Sequence, residues 1–266
     1  ADKLNWVAKA FAGTLPVSSA KLRIVSEAAI RAALAKLEPF DGYVINGVTM
    51  AGAFQNFFRD KPSIYVAHNV EYLSAEENAI TANSGVKRFF FRREAKLLKE
   101  LELGLASRAN CTLALAEEDR KPLGVDHPGR SIVLPLVTTQ QALTVNSARR
   151  IEFDAGLIGT WTWQPNRVGL EWFLEKVAPH LPESFSIGLA GHVPSDFGKM
   201  PPQVSLLGRV ADAKLFVNSC AVIPLVSRSG TGVQLKSIET FEAGLASVAT
   251  MRSLRGIKTV PANCVV

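Results

Sequence analysis

Residues 222–239 have the sequence VIPLVSRSGTGVQLKSIE, and they decide the fold of the chain. An apolar run of strand length passes into a turn of small residues, and a helical pattern follows. Where a strand, a glycine-bearing turn and a helix follow in this order, unpaired amides at the start of the helix favour an anion. The segment therefore predicts an α/β sheet with a phosphate site at one edge.

The same alternation runs along the rest of the chain. Short apolar runs predict strands at residues 43–45, 64–67, 111–115, 132–136, 155–158, 186–190, 204–207, 221–225 and 247–249. Helical patterns lie at residues 1–11, 86–107, 166–181, 212–218 and 232–243. Alternating strands and helices are typical of parallel, doubly wound sheets. We therefore predict an α/β protein.

Composition indicates a folded protein with an anionic partner. The 266 residues are 47% hydrophobic, and no apolar run approaches the length that spans a bilayer. Residues 1–150 carry 20 basic and 15 acidic groups, net +5, whereas residues 151–266 carry 10 and 9, net +1. This asymmetry suits a phosphate-bearing substrate, a nucleic acid or an acidic membrane surface.

A polar stretch from Thr138 to Arg150 lacks an apolar period and is the predicted linker. It separates two predicted domains, residues 1–140 and 151–266. A domain of this kind usually opens with a strand and a glycine turn, yet the chain opens with the helical pattern at Ala1 to Phe11. It ends in an apolar pattern at Cys264 to Val266. We therefore expect both domains to be incomplete.

The turn and helix supply groups that suit a nucleotide diphosphate. Gly230 and Gly232 allow close approach of the backbone, and the predicted helix starts at Gly232. Lys236 and Glu239 are three residues apart and share a helical face, so they offer a cation for phosphate and a carboxylate for ribose hydroxyls. The alternative is a plain loop followed by a solvated surface pair.

The pattern continues through residues 240–250, which have the sequence TFEAGLASVAT. Lys236, Glu239, Gly244 and Thr250 match the donor-site helix and strand of GT-B glycosyltransferases of family 4 (glycosyl transferases group 1), which the chain resembles. Further matches extend the resemblance over about 100 residues, at positions 157–166, 169–173, 189–191 and 206–210. The resemblance implies two Rossmann-like domains whose parallel sheets face each other across a cleft.

The resemblance assigns roles to residues beyond the strand ends, where open α/β sheets bind ligands. Arg209 and Lys236 would act in catalysis by neutralising the donor phosphates, the backbone of Val210 would hold the nucleobase, and Glu239 would bind the ribose. A loop salt bridge is the alternative for Arg209. The other donor-binding residues would be Gly159, Thr160, Gly191, Ser229, Gly230, Thr231, Gly232 and Val233.

The chain departs from the family pattern at two places. The first glutamate of the usual Glu-x7-Glu pair would fall at position 231, which is Thr231. This chain therefore lacks the carboxylate that would hold hydroxyls of the donor sugar. Many relatives have an Arg and a Lys in the loop that corresponds to Trp161 to Asn166. Phosphate neutralisation would therefore depend more on Arg209, Lys236 and the helix end.

In the first half, residues 63–71 read SIYVAHNVE, an apolar strand that leads into polar groups. The segment resembles the His-Asn-x-Glu motif of the family's acceptor domain. His68 would then act in catalysis by hydrogen bonding the transferred sugar or by ordering the acceptor. Asn69, Glu71 and the loop from Asn46 to Met50 would lie on the acceptor side. The alternative for His68 is a structural hydrogen bond at a strand end.

Residues 86–96, VKRFFFRREAK, interleave cations and aromatic residues, a composition that suits anionic lipid headgroups or nucleic acid. The alternative is a core helix, because apolar residues at 90, 91, 97, 98, 101 and 105 keep a helical period with the charges on a solvated face. Cys111, Cys220 and Cys264 are far apart in sequence, and the first two begin strand-like runs, so buried free thiols are predicted. The histidines and cysteines lack metal-ligand spacing, so we predict no metal site.

The resemblance implies a retaining hexosyltransferase that moves a sugar from a nucleotide diphosphate sugar to a saccharide or lipid-linked acceptor. It would act in polysaccharide or glycoconjugate synthesis in the cytoplasm, with peripheral contact to the membrane as an open alternative. No metal is expected, because Arg209, Lys236 and the helix dipole would stabilise the leaving diphosphate. The resemblance implies neither a cofactor nor a nucleic acid partner. A nucleotide-sugar 2-epimerase and a non-catalytic GT-B-like subunit remain alternatives. A dinucleotide oxidoreductase is disfavoured, because the Gly-x-Gly-x-x-Gly signature is missing.

Overall fold

The computed structural model describes residues 2–137, 149–198 and 200–257. The chain divides into two compact units, Ala1–Pro135 and Leu136–Val266. Positions 138–148 of the predicted linker and the predicted strand at 264–266 lie outside the described residues. Each unit is built on a parallel sheet, so the predicted α/β class is confirmed.

In the first unit, the described strands form one parallel sheet in the order β1-β2-β3-β4. The strands are β1 (Tyr43–Asn46), β2 (Ser63–Ala67), β3 (Cys111–Ala114) and β4 (Ser131–Val133). The helices are α1 (Asp2–Ala12), α2 (Val17–Leu22), α3 (Glu27–Ala35), α4 (Val48–Ala53), α5 (Glu71–Thr81) and α6 (Gly85–Arg108). Because each strand lies beside its predecessor, right-handed connections place the intervening helices on one face.

The core of the first unit lies on that face. Tyr65 of the sheet is buried with Leu101 and Leu105 of α6. On the opposite face Val44 and Ile132 remain 70% and 59% exposed.

The long helix α6 follows its predicted period but not its predicted charge distribution. Leu98, Leu101 and Leu105 are buried, as predicted. The prediction that the charges lie on a solvated face is wrong for Glu94 and Glu102, which are buried. A carboxylate tolerates burial where it accepts hydrogen bonds, and Glu102 accepts the backbone N–H groups of the first two α5 residues at 2.9 and 2.8 Å.

In the second unit, the described strands form a parallel sheet in the order β7-β6-β5-β8-β9. They are β5 (Phe153–Ile158), β6 (Ile187–Ala190), β7 (Val204–Gly208), β8 (Cys220–Leu225) and β9 (Ser247–Ala249). The helices are α7 (Gln164–Lys176), α8 (Ala213–Asn218) and α9 (Leu235–Glu242). The chain winds outward from β5 in one direction and from β8 in the other, so the topological switch point lies between these two strands.

Two apolar clusters cover the two faces of this sheet. Leu170 and Phe173 of α7 pack with Leu157 and Leu189 on one face. On the other face Phe216 of α8 packs with residues of β6 and β8 and with Ala243 and Leu245, which follow α9. Cys111 and Cys220 are free thiols; Cys220 is buried, as predicted, whereas the prediction of burial is wrong for Cys111, which is half-buried. Cys264 lies outside the described residues.

The start of α9 was predicted three residues too early. The helix begins at Leu235 rather than at Gly232, because Gln234 has extended dihedral angles and forms the N-cap. The Gln234 side chain donates to the Gly232 carbonyl at 3.1 Å and contacts the Ser227 hydroxyl at 2.9 Å. These two contacts keep residues 232–234 out of the helix.

Candidate functional site

A cavity of about 260 Å³ lies within the second unit, where β5 and β8 end. Its walls come from both strands, from the loop after β5, and from α7, α8 and α9. Residues that matter for its chemistry are Trp161, Asn166, Ser227, Gln234, Lys236 and Glu239. The cavity therefore occupies the switch point at which open α/β sheets bind ligands.

The cation of the cavity is Lys236, in the first turn of α9. Its Nζ lies 5.2 Å from the centre of the Trp161 ring, and a Cβ added at Gly159 would lie 2.9 Å from Nζ. Within the described ranges, Lys236 forms no ion pair and its Nζ donates no hydrogen bond. The ammonium is therefore held over the end of β5 without a fixed anionic partner.

Burial changes the acidity of this group. Desolvation lowers the pKa of Lys236, and the charge of Glu239 partly opposes that change. A cation removed from water interacts more strongly with an incoming anion, because the local dielectric is low. The geometry of Lys236 is that of a group that can bind phosphate, and it differs from that of a lysine solvated at the surface.

Glu239 lies three residues further along α9 and lines the same cavity. Its side chain forms no ion pair with the rest of the described chain. Both carboxylate oxygens can therefore accept hydrogen bonds from ligand hydroxyls. Of the predicted donor-side residues, Lys236 and Glu239 are the two that line the cavity.

Strand-end glycines form the floor beside the cavity. The Gly159 amide donates to the Ala190 carbonyl at 3.3 Å, and the Gly191 amide donates to the Gly208 carbonyl at 2.7 Å. Gly191 has a φ of +105°, and a Cβ there would collide with the Gly159 carbonyl oxygen. The ends of β5, β6 and β7 therefore meet at one edge, and position 191 requires glycine.

Trp161 is a site residue that the sequence reasoning missed. The ring is buried, lines the cavity, and its Nε1–H donates to the Ala190 carbonyl at 2.8 Å. Its position two residues after a strand-end glycine was the available signal. The sequence analysis considers this loop only for the Arg and Lys that it lacks. The hydrogen bond from Trp161 to β6 joins distant parts of the chain, so the sequence does not show it.

The turn before α9 departs from its predicted role. Gly230 has a φ of +94°, whereas Gly232 is not among the glycines with positive φ. Thr231 is buried, Ser229 is half-buried, and residues 229–233, Val233 included, do not line the cavity. The amide-lined helix start predicted at Gly232 lies instead at Leu235, one residue before Lys236.

Arg209 and Val210 follow β7, which is an edge strand of the sheet and lies two strands away from β5. Arg209 is exposed, and no salt bridge is found for it within the described residues, so its alternative role as a loop salt bridge has no partner there. Val210 packs against the cluster that contains Phe216. Thr160 is exposed, and its carbonyl accepts a hydrogen bond from Asn166 at 3.2 Å. None of these three predicted residues lines the cavity.

Hydroxyl groups fix the cavity wall. Ser253 Oγ donates to the Leu225 carbonyl at 2.7 Å and accepts the Ser227 amide at 3.0 Å. Ser237 of α9 donates to the Ser253 carbonyl at 2.6 Å, and Thr250 donates to the Ser227 carbonyl at 2.6 Å. These bonds connect the end of β8 with the first turn of α9. Only Thr250 was singled out from the sequence.

The predicted acceptor-side residues lie together in the first unit, at the ends of β1 and β2. His68 Nε2 lies 2.6 Å from Asn46 Oδ1, and both side chains are exposed. Burial raises the pKa of Glu71, against the effects of a hydrogen bond from Asn69 and the charge of His68. The predicted loop after Asn46 is wrong in part, because Gly47 caps α4 and the helix begins at Val48.

Neither a metal site nor a membrane-spanning helix is found in the described part of the chain. Within residues 2–137, 149–198 and 200–257, no cluster of three or more His, Cys, Asp or Glu side chains has the arrangement of a metal site. Over the same residues, none of the helices combines the length and apolarity that crossing a membrane requires.

Comparison with known proteins bears on the second unit and on the fold. Residues 152–263 match the family model described as "Glycosyl transferases group 1". No curated protein sequence matches the chain. The "Crystal Structure of TarM" matches with a TM-score of 0.52 and 14% identity, over 77% of this chain and 40% of that one.

A second structure, the "Glycotransferase of kitacinnamycin", matches with a TM-score of 0.41 and 16% identity, over 84% of this chain and 60% of that one. The chain thus spans less than two thirds of the length of either protein. The likeness to TarM concerns the fold. The predicted resemblance is confirmed: the fold is that of the GT-B glycosyltransferases, and residues 152–263 match the glycosyl transferases group 1 family.

Proposed function

We propose that the protein is a retaining hexosyltransferase that moves a sugar from a nucleotide diphosphate sugar to a hydroxyl of a saccharide or lipid-linked acceptor. The family match of residues 152–263 supports glycosyl transfer. The observation that carries the donor assignment is the Lys236 ammonium, which is held in a cavity at the switch point without an anionic partner among the described residues.

The charge of Lys236 supports a role in catalysis. Negative charge develops on the leaving nucleotide diphosphate as its bond to the sugar breaks. A fixed cation in a partly desolvated cavity stabilises that charge without reorganising. We assign this role to Lys236, with Arg209 at the end of β7 as the second cation. Because these groups supply positive charge, the proposal needs neither metal ion nor other cofactor.

The position of Glu239 supports one further donor contact, and the contacts of residues that do not line the cavity are proposed from the family resemblance. Glu239 lines the cavity with Lys236 and would accept the two ribose hydroxyls. The backbone of Val210 would hold the nucleobase. The strand-end loops at Gly159, Gly191 and Ser229 to Val233 would surround the diphosphate and the sugar.

In the first unit, His68 would hydrogen bond the transferred sugar or order the acceptor. Its contact with Asn46 fixes the imidazole ring, and Asn69 and Glu71 add polar groups beside it. We place the acceptor on this group of residues. The activity would serve polysaccharide or glycoconjugate synthesis in the cytoplasm.

A thermal-shift panel of UDP, GDP, ADP and their sugars tests the donor site. A specific ligand at 100 times its Kd stabilises a protein by about 2.7 kcal/mol, so one nucleotide family should raise Tm. Lys236→Ala and Glu239→Ala should each weaken that ligand about 10- to 100-fold, since each removes a charged hydrogen-bonding group. Lys176→Ala, an exposed lysine on α7, is the matched control.

Product analysis then separates the activities. Transfer of sugar to an acceptor, with retained anomeric configuration and in the presence of EDTA, supports the proposal. An epimer formed from the nucleotide sugar alone would identify a 2-epimerase. Binding without transfer, hydrolysis or epimerisation would indicate a non-catalytic subunit. If no nucleotide raises Tm, or if both variants bind nucleotide like the wild type, the assignment of the donor site to this cavity is wrong.

A further inference from the structure

The antiparallel helices α5 and α6 end in a surface that the proposed reaction does not use. We define the hairpin tip as residues 80–92, which comprise the last two residues of α5, the connection and the first two turns of α6. Three large apolar side chains of the tip face solvent: Ile80 is 80% exposed, Val86 82% and Phe89 66%. Val86 and Phe89 are three residues apart and share one face of α6.

The same tip carries exposed cations. Lys87, Arg88 and Arg92 are exposed, and residues 80–93 contain no Asp or Glu. Lys87 contacts the Asn83 side chain and Arg88 the Ala82 carbonyl, both at 3.3 Å, so neither cation is neutralised there. The positive end of the α6 dipole lies at the same place and adds to the potential.

Arg93 marks where this surface ends. Its guanidinium donates to the Leu15 and Ala10 carbonyls and pairs with Glu94 at 2.8 Å. That cation is committed to the packing of α1 against α6. The basic groups available to a partner are therefore the three of the tip.

The combination of side chains selects the kind of partner. A solvated helix end accounts for the cations but not for three exposed apolar residues beside them. A nucleic acid would pair with the cations and could stack one base on Phe89, but Ile80 and Val86 offer no ring for stacking and would stay exposed. An anionic bilayer satisfies both groups, because phosphate headgroups pair with the cations and the apolar side chains enter the interface.

We propose that the hairpin tip docks on the surface of an anionic lipid bilayer. Lys87, Arg88 and Arg92 contact headgroup phosphates, while Ile80, Val86 and Phe89 insert at the boundary with the acyl chains. The inference does not depend on the proposed sugar transfer, since no tip residue belongs to either candidate substrate site. Each proposal can fail without the other.

Vesicle co-sedimentation of the full chain tests it. The wild type should bind vesicles of phosphatidylcholine and phosphatidylglycerol, and should bind vesicles of phosphatidylcholine alone much more weakly. Reversal of the three cations (K87E, R88E and R92E) should lower the partition coefficient by about 100-fold. Reversal of Lys9, Lys36 and Lys121, exposed lysines of the same unit, changes net charge equally and should retain most of the binding.

A second variant tests insertion separately from charge. Val86→Ser with Phe89→Ser keeps every cation and should lower binding to the anionic vesicles at least about 10-fold at 0.5 M salt, where screening weakens the electrostatic part. Equal losses from the tip reversal and the matched reversal would overturn the proposal. So would binding of a single-stranded oligonucleotide in place of the anionic vesicles, or full binding by the double serine variant.

Discussion

Lys236 Nζ lies 5.2 Å from the centre of the Trp161 ring, and the ring is held by a 2.8 Å hydrogen bond from its Nε1–H to the Ala190 carbonyl. The ammonium therefore rests on an aromatic face whose orientation is set by β6. A cation above an indole ring is attracted to its electron-rich face. Lys236, the residue proposed to bind phosphate, is thus positioned by a neighbouring strand as well as by its own helix.

Trp161→Phe should weaken both the fold and the donor site. The change removes the indole N–H from the Ala190 carbonyl, which keeps the Gly159 amide as its other donor, so the expected cost is about 0.5 to 1.5 kcal/mol. Urea unfolding would measure this loss, and the affinity for the nucleotide found in the thermal-shift panel should fall several-fold. Trp163→Phe, at an exposed tryptophan two residues away, should change neither quantity measurably. Equal effects of the two substitutions would contradict the support role.

As pH rises, nucleotide affinity should begin to decrease at a lower pH than it would if Lys236 had the pKa of a solvated lysine. Burial lowers the pKa of Lys236, so the free protein loses this ammonium at a lower pH than a solvated lysine does. A bound diphosphate favours the charged form, so binding is coupled to proton uptake as pH rises through the lowered pKa. Calorimetry in buffers of different ionisation enthalpy measures this uptake. Lys236→Arg should abolish it, and persistent uptake in that variant would refute the assignment.

Glu102 should make stability depend on pH. Burial raises the pKa of Glu102 from 4.5 to about 7. The folded state therefore binds the proton more tightly than the unfolded state, and the stability contributed by the protonated carboxyl is full below about pH 4.5. It decreases as pH rises towards about 7, by at most about 1.4 kcal/mol per pH unit.

Urea unfolding between pH 4 and pH 8 would detect this contribution. Glu102→Gln cannot titrate and should flatten the dependence. Glu100→Gln, at an exposed position of the same helix, should leave it unchanged. A wild-type slope retained in Glu102→Gln would assign the titration to another group.

Gly191→Ala should destabilise the protein strongly. The residue has a φ of +105°, and a Cβ would collide with the Gly159 carbonyl. Strained backbone together with the clash should cost at least about 2 kcal/mol. Gly198→Ala is the control, because a Cβ there meets no atom within 4 Å. Chemical denaturation of both variants checks the difference, and similar stabilities would show that the edge of β6 can relax.

The sequence was sufficient for the strands but not for every group in the site. Apolar runs with turn residues between them are local signals, and they located the strands of both sheets. The start of α9 was misplaced because the side chain of Gln234 bonds to Gly232 and Ser227. Lys236 and Glu239 were found because helical spacing is local. Trp161 and Glu102 were missed because their roles depend on partners in other elements.

The hydroxyl of Ser253 bonds to both Leu225 and Ser227, and its carbonyl accepts from Ser237. Three chain segments that are distant in sequence thus share one residue. In hydrogen-exchange terms, the end of β8, the first turn of α9 and the turn at 250–253 should open as one cooperative unit. Loss of the Ser253 side chain would then lower the protection of backbone amides against hydrogen exchange in all three segments together. The affected amides would include positions that are not in regular secondary structure.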